Sequence, residues 1–281
     1  MKRSLGSFLT VAAVVLVAPT FSGCALTQNS DGSVSLTSLT TYKGSPESKS
    51  VAYSAGQSVR IVSANGNVNV ATGSAGQVGA TFSPTTKGKG DSAGKKQAED
   101  EMNNQIHYAV SQGAEIVIEV TRTGSNSYLG ADVDVTIPGA FDGNFTVQQG
   151  NGFVDVVLGG GEKSVTVTNA GAGDIAVEGA SGKLMIVGGF DVSVGVASWA
   201  PVGQDGSISA GDQLGSVDLR IPAATSGTMT AQADGNIVES GLPSGWQSAA
   251  SAANSKSYTM GDGNGAKVSI VAGEDIRITA K

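Results

Sequence analysis

The chain is poor in the side chains from which reactions are built. Among 281 residues there is one cysteine, Cys24, and one histidine, His107. A single cysteine makes no intramolecular disulfide, so no covalent staple holds the fold. A Ser-His-Asp triad would have to recruit His107. No Gly-x-Ser-x-Gly nucleophile elbow is assigned to a strand–helix turn, and no EF-hand spacing is present. Aromatic residues make up 5% and charged residues 15% of the chain. No apolar run reaches the ~20 residues that span a bilayer. Phe8–Ala18, apolar apart from Thr10, stops short at Pro19. Positive charge is also scarce. Leaving out residues 1–23, which hold Lys2 and Arg3 and no acid, 15 Lys and Arg face 24 Asp and Glu, a net of −9. Nucleic acid is excluded as a partner, because phosphate binding needs clustered cations.

What is present begins at the N-terminus. Lys2 and Arg3, the short apolar run and the small residues after Pro19 form a secretory signal. The stretch Thr20-Phe21-Ser22-Gly23-Cys24 resembles a bacterial lipoprotein lipobox. Ser22, Gly23 and Cys24 match it, while Phe21 stands where Leu is usual. The resemblance implies that residues 1–23 are a lipoprotein signal peptide and that Cys24 is the lipidation site and new N-terminus. Its acyl chains, palmitate among them, would make the membrane a partner. A single chain binds only marginally, with K of about 10⁴ M⁻¹, and the resemblance implies several. Ala25, where Asp would retain the protein, points to the outer membrane. The alternative is ordinary cleavage after Ala25.

Two regions follow. Residues 24–56, rich in Ser and Thr, read as the lipid anchor and a flexible tether with a short strand near Val34–Leu36. Residues 57–281 read as one β-repeat domain. Apolar residues alternate with polar ones at period two: Val59/Ile61, Val68/Val70, Ile116/Ile118/Val120, Val133/Val135/Ile137, Val154/Val156, Val165/Val167, Ile175/Val177, Val192/Val194/Val196, Val217/Leu219/Ile221, Val268/Ile270 and Ile276/Ile278. Gly occurs 41 times, often beside Asn or Asp just before a strand, where positive φ is tolerated. Val133–Pro138 matches Val217–Pro222 at an offset of 84, and Phe145–Gln148 matches Met229–Gln232 at the same offset. Such repetition predicts an all-β, right-handed parallel β-solenoid-like domain, with an antiparallel β-sandwich as the alternative. One short amphipathic helix is predicted over Lys95–Tyr108, after a mobile basic loop, Lys87–Lys96.

The Val-Asp-Val-Thr-Ile-Pro strand at 133–138 and the repeated Asn-Gly turns form one set of motifs. Val165–Asn169 followed by Gly173-Asp174-Ile175, and the closing Gly273–Ile278, complete it. Together they resemble the bacterial putative-adhesin family of Gly-rich β-repeat domains, over nearly the whole of residues 58–278. The resemblance implies a parallel solenoid at the cell surface or in the periplasm, and it brings no active site.

Several residues carry candidate chemistry. His107, beside Tyr108 at a predicted helix end, reads as a surface or packing residue. Asp132 and Asp134 share a strand face, and Asp218 is the repeat equivalent of Asp134, with Arg220 nearby. Clustered in a groove they would suit a glycosidase or polysaccharide lyase; dispersed, they keep strands soluble. Gly171–Ile175 and Asp262-Gly263-Asn264 offer oxygen ligands for calcium, without the array such motifs need. Trp199 and Trp246 either stack on sugars or cover an apolar edge. The expectation is a non-enzymatic, lipid-anchored envelope protein with an adhesin-like binding or structural role, and no catalytic residue, cofactor or metal is assigned. Its partners are the membrane and a glycan or envelope protein. The alternatives are a carbohydrate-active enzyme and a passive envelope component.

Overall fold

The computed structural model describes residues 24–28, 34–73, 76–211, 214–252 and 254–281. The signal-peptide reading of residues 1–23 lies outside them. Three strands come first, β1 (Cys24–Gln28), β2 (Val34–Lys43) and β3 (Glu47–Ala52). Next are β4 (Ser58–Ser63), β5 (Val68–Gly73), the long β6 (Gln77–Lys89) and the helix α1 (Ser92–Asn104). Then follow β7 (Ile106–Gln112), β8 (Glu115–Arg122), β9 (Gly130–Pro138), β10 (Asn144–Gln149), β11 (Val154–Val157) and β12 (Ser164–Asn169). After these come β13 (Ile175–Ala180), β14 (Lys183–Gly188), β15 (Val192–Val196), β16 (Gly206–Ala210), β17 (Val217–Ile221) and β18 (Gly227–Ala233). The chain closes with β19 (Ile237–Ser240), β20 (Gln247–Ala252), β21 (Ser255–Met260), β22 (Lys267–Ala272) and β23 (Ile276–Ala280).

These strands form two large sheets, and the chain alternates between them. The first sheet runs β1-β2-β6-β9-β5-β11-β13-β15-β17-β23-β19, with β3 also on β6. The second runs β20-β21-β18-β22-β16-β14-β12-β10-β4-β8-β7. Each strand pair, such as β10–β11 or β12–β13, contributes one strand to each sheet and stacks in parallel on the next pair. The period-two pattern follows from this layout. Every apolar residue of the alternating sets named above is buried between the sheets. The polar alternates face outward. Phe82, Phe141, Phe145 and Tyr258 add aromatic bulk to the same core.

The layout differs from both architectures expected. The interior pairs are parallel, but both sheets are mixed. Antiparallel strands close the ends: β2, β3 and β6 at one end of the first sheet, and β7 and β20–β21 at the two ends of the second. The order of units is also permuted. β4 and β5 sit between the β8–β9 and β10–β11 pairs, and β22 and β23 sit between β16–β17 and β18–β19. A parallel stack leaves unpaired backbone at each end; the antiparallel strands cover it at one end of the first sheet and both ends of the second, while the parallel β19 forms the other edge of the first.

Local expectations shift for related reasons. The Ser/Thr-rich segment carries three strands rather than one short one, because β2 and β3 complete β6. Lys87 and Lys89 close β6, and α1 begins at Ser92, so no loop spans 87–96. Asp91 caps the helix, its Oδ1 accepting the Gly94 N–H at 2.7 Å. Ala98 and Met102 are buried, as the helical spacing implied. The helix stops at Asn104, and Ile106, His107 and Tyr108 enter β7. Alternating β-formers paired against β8 outcompete another helical turn there.

Candidate functional site

The Gly-Asx repeat resolves into one corner of the stack, where strands of the second sheet turn into the first. Gly152 (φ 127°) and Gly173 (φ 129°) lie in one column with Gly66. A Cβ on Gly152 would sit 2.1 Å from the Gly66 carbonyl oxygen, and one on Gly173 would sit 2.2 Å from that of Gly152. Only a residue without a side chain lets successive turns nest this closely. The residues before the parallel strands of the first sheet, with Asp132 of β9 level with Asn67, form a second column. The Asp132 carboxylate accepts the Asn67 N–H (2.9 Å), and the Asn67 side chain accepts the Phe153 N–H (3.1 Å). Asp174 accepts from Asp191 (3.3 Å), Asp191 from Ser216 (2.9 Å), and Asp275 from Asn236 (2.7 Å). The repeated Asp and Asn side chains thus tie successive turns together, with a break at Phe153 and another at Ser216.

That accounts for most of the candidate ligands. In the Gly171–Ile175 segment the glycines pack on the preceding turn and Asp174 serves the ladder. Asp262 accepts the Asn264 N–H and side-chain amide, each at 2.9 Å, and the Ser226 hydroxyl. These hydrogen bonds hold its carboxyl down at about 2. Among the described residues no group of three or more His, Cys, Asp or Glu gathers as metal ligands would.

The carboxylates weighed for catalysis do not meet. Asp132 and Asp134 are on β9 and Asp218 is on β17, five strand steps apart in the first sheet. At ~4.8 Å per step that is ~24 Å, far beyond the ~5–9.5 Å between glycosidase carboxyls. Asp134 instead accepts from the Asn69 amide at 2.8 Å. Arg220 pairs with Glu178 and donates to the Ser193 hydroxyl at 2.7 Å, not to Asp218.

One motif escaped the sequence expectation. Gly90-Asp91-Ser92-Ala93-Gly94 has the Gly-x-Ser-x-Gly spacing, and it does lie at a strand–helix junction, between β6 and α1. Its glycines have a packing reason, since a Cβ on Gly94 would sit 2.1 Å from the Lys89 carbonyl oxygen. Ser92 opens the helix and His107 lies beyond its far end. Twelve residues at ~1.5 Å each put Asn104 ~18 Å from Ser92, and His107 lines a cleft at that far end with Met102 and Asn103. The one histidine of the chain therefore cannot serve that serine. His107 lines a cleft of about 350 Å³ with Glu47, Pro84, Met102 and Tyr108. Burial, with the nearby Glu47 charge, pushes the Tyr108 hydroxyl up to about 12.

Both tryptophans fold down. Trp199 is half-buried, with Nε1 donating to the Ala266 carbonyl at 3.1 Å, and Trp246 is buried against the core. Beside Trp246, Tyr258 and Lys256 donate to the Glu239 carboxylate at 2.7 and 2.9 Å. Partial burial raises the Glu239 pKa, but these two bonds outweigh it and hold the group below the ordinary range. Cys24 is the first residue of β1, its backbone paired opposite Ser38. Among the described residues no helix is long and apolar enough to cross a membrane.

What remains on the surface is two broad sheet faces, whose central rows differ in charge although the second face also carries Arg60, Lys183 and Lys267 around them. Over β11, β13, β15, β17, β23 and β19, outward positions of the first sheet include Asp155, Glu178, Asp218, Arg220 and Arg277. Over β10, β12, β14, β16, β22 and β18, the two central outward rows of the second sheet hold no charge. One row reads Thr146, Thr166, Met185, Ser207, Ser269, Thr230. The other reads Gln148, Thr168, Val187, Ser209, Val271, Gln232. Ser209, Gln232, Asp234 and Val271 also line a shallow groove of about 420 Å³ at the end of this face.

No family model matches the chain. No curated protein matches it either. Among solved structures it is similar to a putative cell adhesion protein from Clostridium sporogenes, with 13% identity, a TM-score of 0.43, and 84% of this chain and 100% of the other covered. It is also similar to a putative adhesin from Bacteroides fragilis, with 12% identity, a TM-score of 0.32, and 84% and 97% covered. A putative adhesin from Parabacteroides distasonis shows 8% identity, a TM-score of 0.28, and 84% and 97% covered. At these scores the likeness transfers no residue role.

Proposed function

We propose that the protein is a lipid-anchored envelope protein whose stacked two-sheet domain has an adhesin-like binding role and turns over no substrate. Residues 1–23 are the signal peptide, Cys24 carries the lipid, and residues 24–56 join the anchor to the domain of residues 57–281 while adding β2 and β3 to its first sheet. The domain is solenoid-like in its interior, displayed at the outer membrane on the cell surface or the periplasmic side. Its partners are the membrane and a glycan or neighbouring envelope protein. The observation that carries the binding reading is the dispersal of candidate chemistry. Asp132 and Asp134 stand ~24 Å from Asp218 across the sheet, and the lone His107 lies beyond reach of Ser92, while two wide sheet faces stand open. Screening the full chain against glycan and envelope-protein arrays tests it. Retention without turnover is expected; release of a cleaved saccharide from any retained glycan overturns it.

A further inference from the structure

The two faces differ more than a solubilising surface requires. The chain carries 24 acidic and 17 basic residues, yet twelve adjacent outward positions on six strands of the second sheet are uncharged. The corresponding strands of the first sheet carry five charges in the same two rows. The uncharged rows mix hydroxyls and amides with exposed Met185, Val187 and Val271. We propose that this face of the second sheet binds a linear, uncharged polysaccharide laid across the strands, along the stack.

Three considerations select that occupant. A protein partner presents about 25% charged residues, and these two rows hold no counter-charge for them, the exposed Lys183 and Lys267 standing in the next outward row. Hydroxyls and amides both donate and accept, which suits the hydroxyls of a neutral sugar, while the exposed valines and Met185 suit its C–H surfaces. The face is also regular. Like positions recur every ~4.8 Å over six strands, about 24 Å from first to last, a surface suited to a repeating polymer. A second copy of the chain fits less well. Two rows across six strands cover roughly 400 Å², about half the ~800 Å² per partner of a stable protein interface. The groove beside Ser209, Gln232 and Val271 adjoins these rows and carries one charge, Asp234.

This deepens the glycan reading above and rests on it, so the experiment separates the two. Binding of the full-length chain in detergent is measured against an uncharged glucan, mannan and galactan, with a polyuronate as the anionic control. Two variants alter the second-sheet face. Thr168→Glu with Ser209→Glu places charge on it, and the quadruple Thr166→Ala, Thr168→Ala, Ser207→Ala, Ser209→Ala variant removes hydroxyls without charge or bulk. Ala176→Glu with Ser193→Glu is the matched change on the first sheet. Circular dichroism confirms that each is folded. The expected result is binding of an uncharged polymer that changes little between about 50 and about 500 mM salt. Affinity should drop about tenfold or more in both second-sheet variants, the equivalent of one or two hydrogen bonds, and hold in the first-sheet variant. Loss confined to the first-sheet variant overturns the assignment of the face but leaves the glycan reading standing. Binding of the polyuronate alone overturns the uncharged ligand. Binding of no glycan overturns both, as does salt-insensitive self-association that only the second-sheet variants abolish.

Discussion

Gly152→Ala tests whether the corner column sets the spacing of the stack. Gly152 has φ 127°, and its new Cβ would lie 2.1 Å from the Gly66 carbonyl oxygen. The backbone conformation alone costs an alanine about 1–3 kcal/mol. Relieving the clash means opening the stack at that step. The Val68 N–H to Phe153 O bond (2.9 Å) and the Gly66 N–H to Asn151 O bond (3.0 Å) cross it. Weakening both adds about 1 kcal/mol each. The expected destabilisation is ~3–5 kcal/mol, which at about 2–4 °C per kcal/mol for a domain of this size lowers Tm by roughly 6–20 °C. Gly203→Ala is the control. It also replaces a positive-φ glycine (φ 85°), but a Cβ there meets nothing within 4 Å, so only the backbone cost of about 1 kcal/mol remains. Thermal and urea unfolding of the two variants give the comparison. If Gly152→Ala costs no more than Gly203→Ala, close nesting of the turns is not what the repeated glycines are for.

Other expectations follow from the same geometry. Phe153 interrupts the Asp/Asn column, so Phe153→Asn supplies an acceptor for the next turn and should stabilise the protein by about 0.5–1 kcal/mol in urea unfolding; destabilisation would argue that the phenyl ring itself packs usefully. The folded-state pKa of Glu239 is depressed, so its ionised form contributes stability that is present above the ordinary Glu value of about 4.3 and lost as pH falls through the depressed one. The stability gap between wild type and Glu239→Gln should therefore be widest near neutrality and narrow below about pH 4; a gap independent of pH would count against the carboxylate's role. Cys24→Ala should move the protein from the membrane to the soluble fraction and abolish palmitate incorporation. Retention of the variant at the membrane would contradict the lipid reading.

The core was legible because strand burial has a period that a sequence displays directly. Val133, Val135 and Ile137, or Val217, Leu219 and Ile221, alternate with polar residues and all lie buried. The 84-residue repeat was equally visible, and its members are matching pairs, β9–β10 and β17–β18. The site was less legible. Asp134 and Asp218 occupy equivalent repeat positions, which invited their grouping, yet repetition along a stack sends equivalent residues to opposite ends of it. The Gly90–Gly94 motif carries the spacing of a nucleophile elbow, and only the length of α1 shows that His107 cannot reach it. The charge-free rows of the second sheet come from six strands far apart in sequence, so no local window could reveal them.

The sequence by itself determined that the chain is all-β, which residues face inward, where turns fall, and which catalytic chemistries lack their residues. These properties depend on period, composition and backbone sterics, which act over a few residues at a time. Tertiary structure alone decided the order of the units, the antiparallel strands that close the ends, the nesting of glycines against neighbouring turns, and the contrast between a charged face and an uncharged one. Each depends on which strands become neighbours, and that is settled by covering open edges and stacking turns across long separations in the chain.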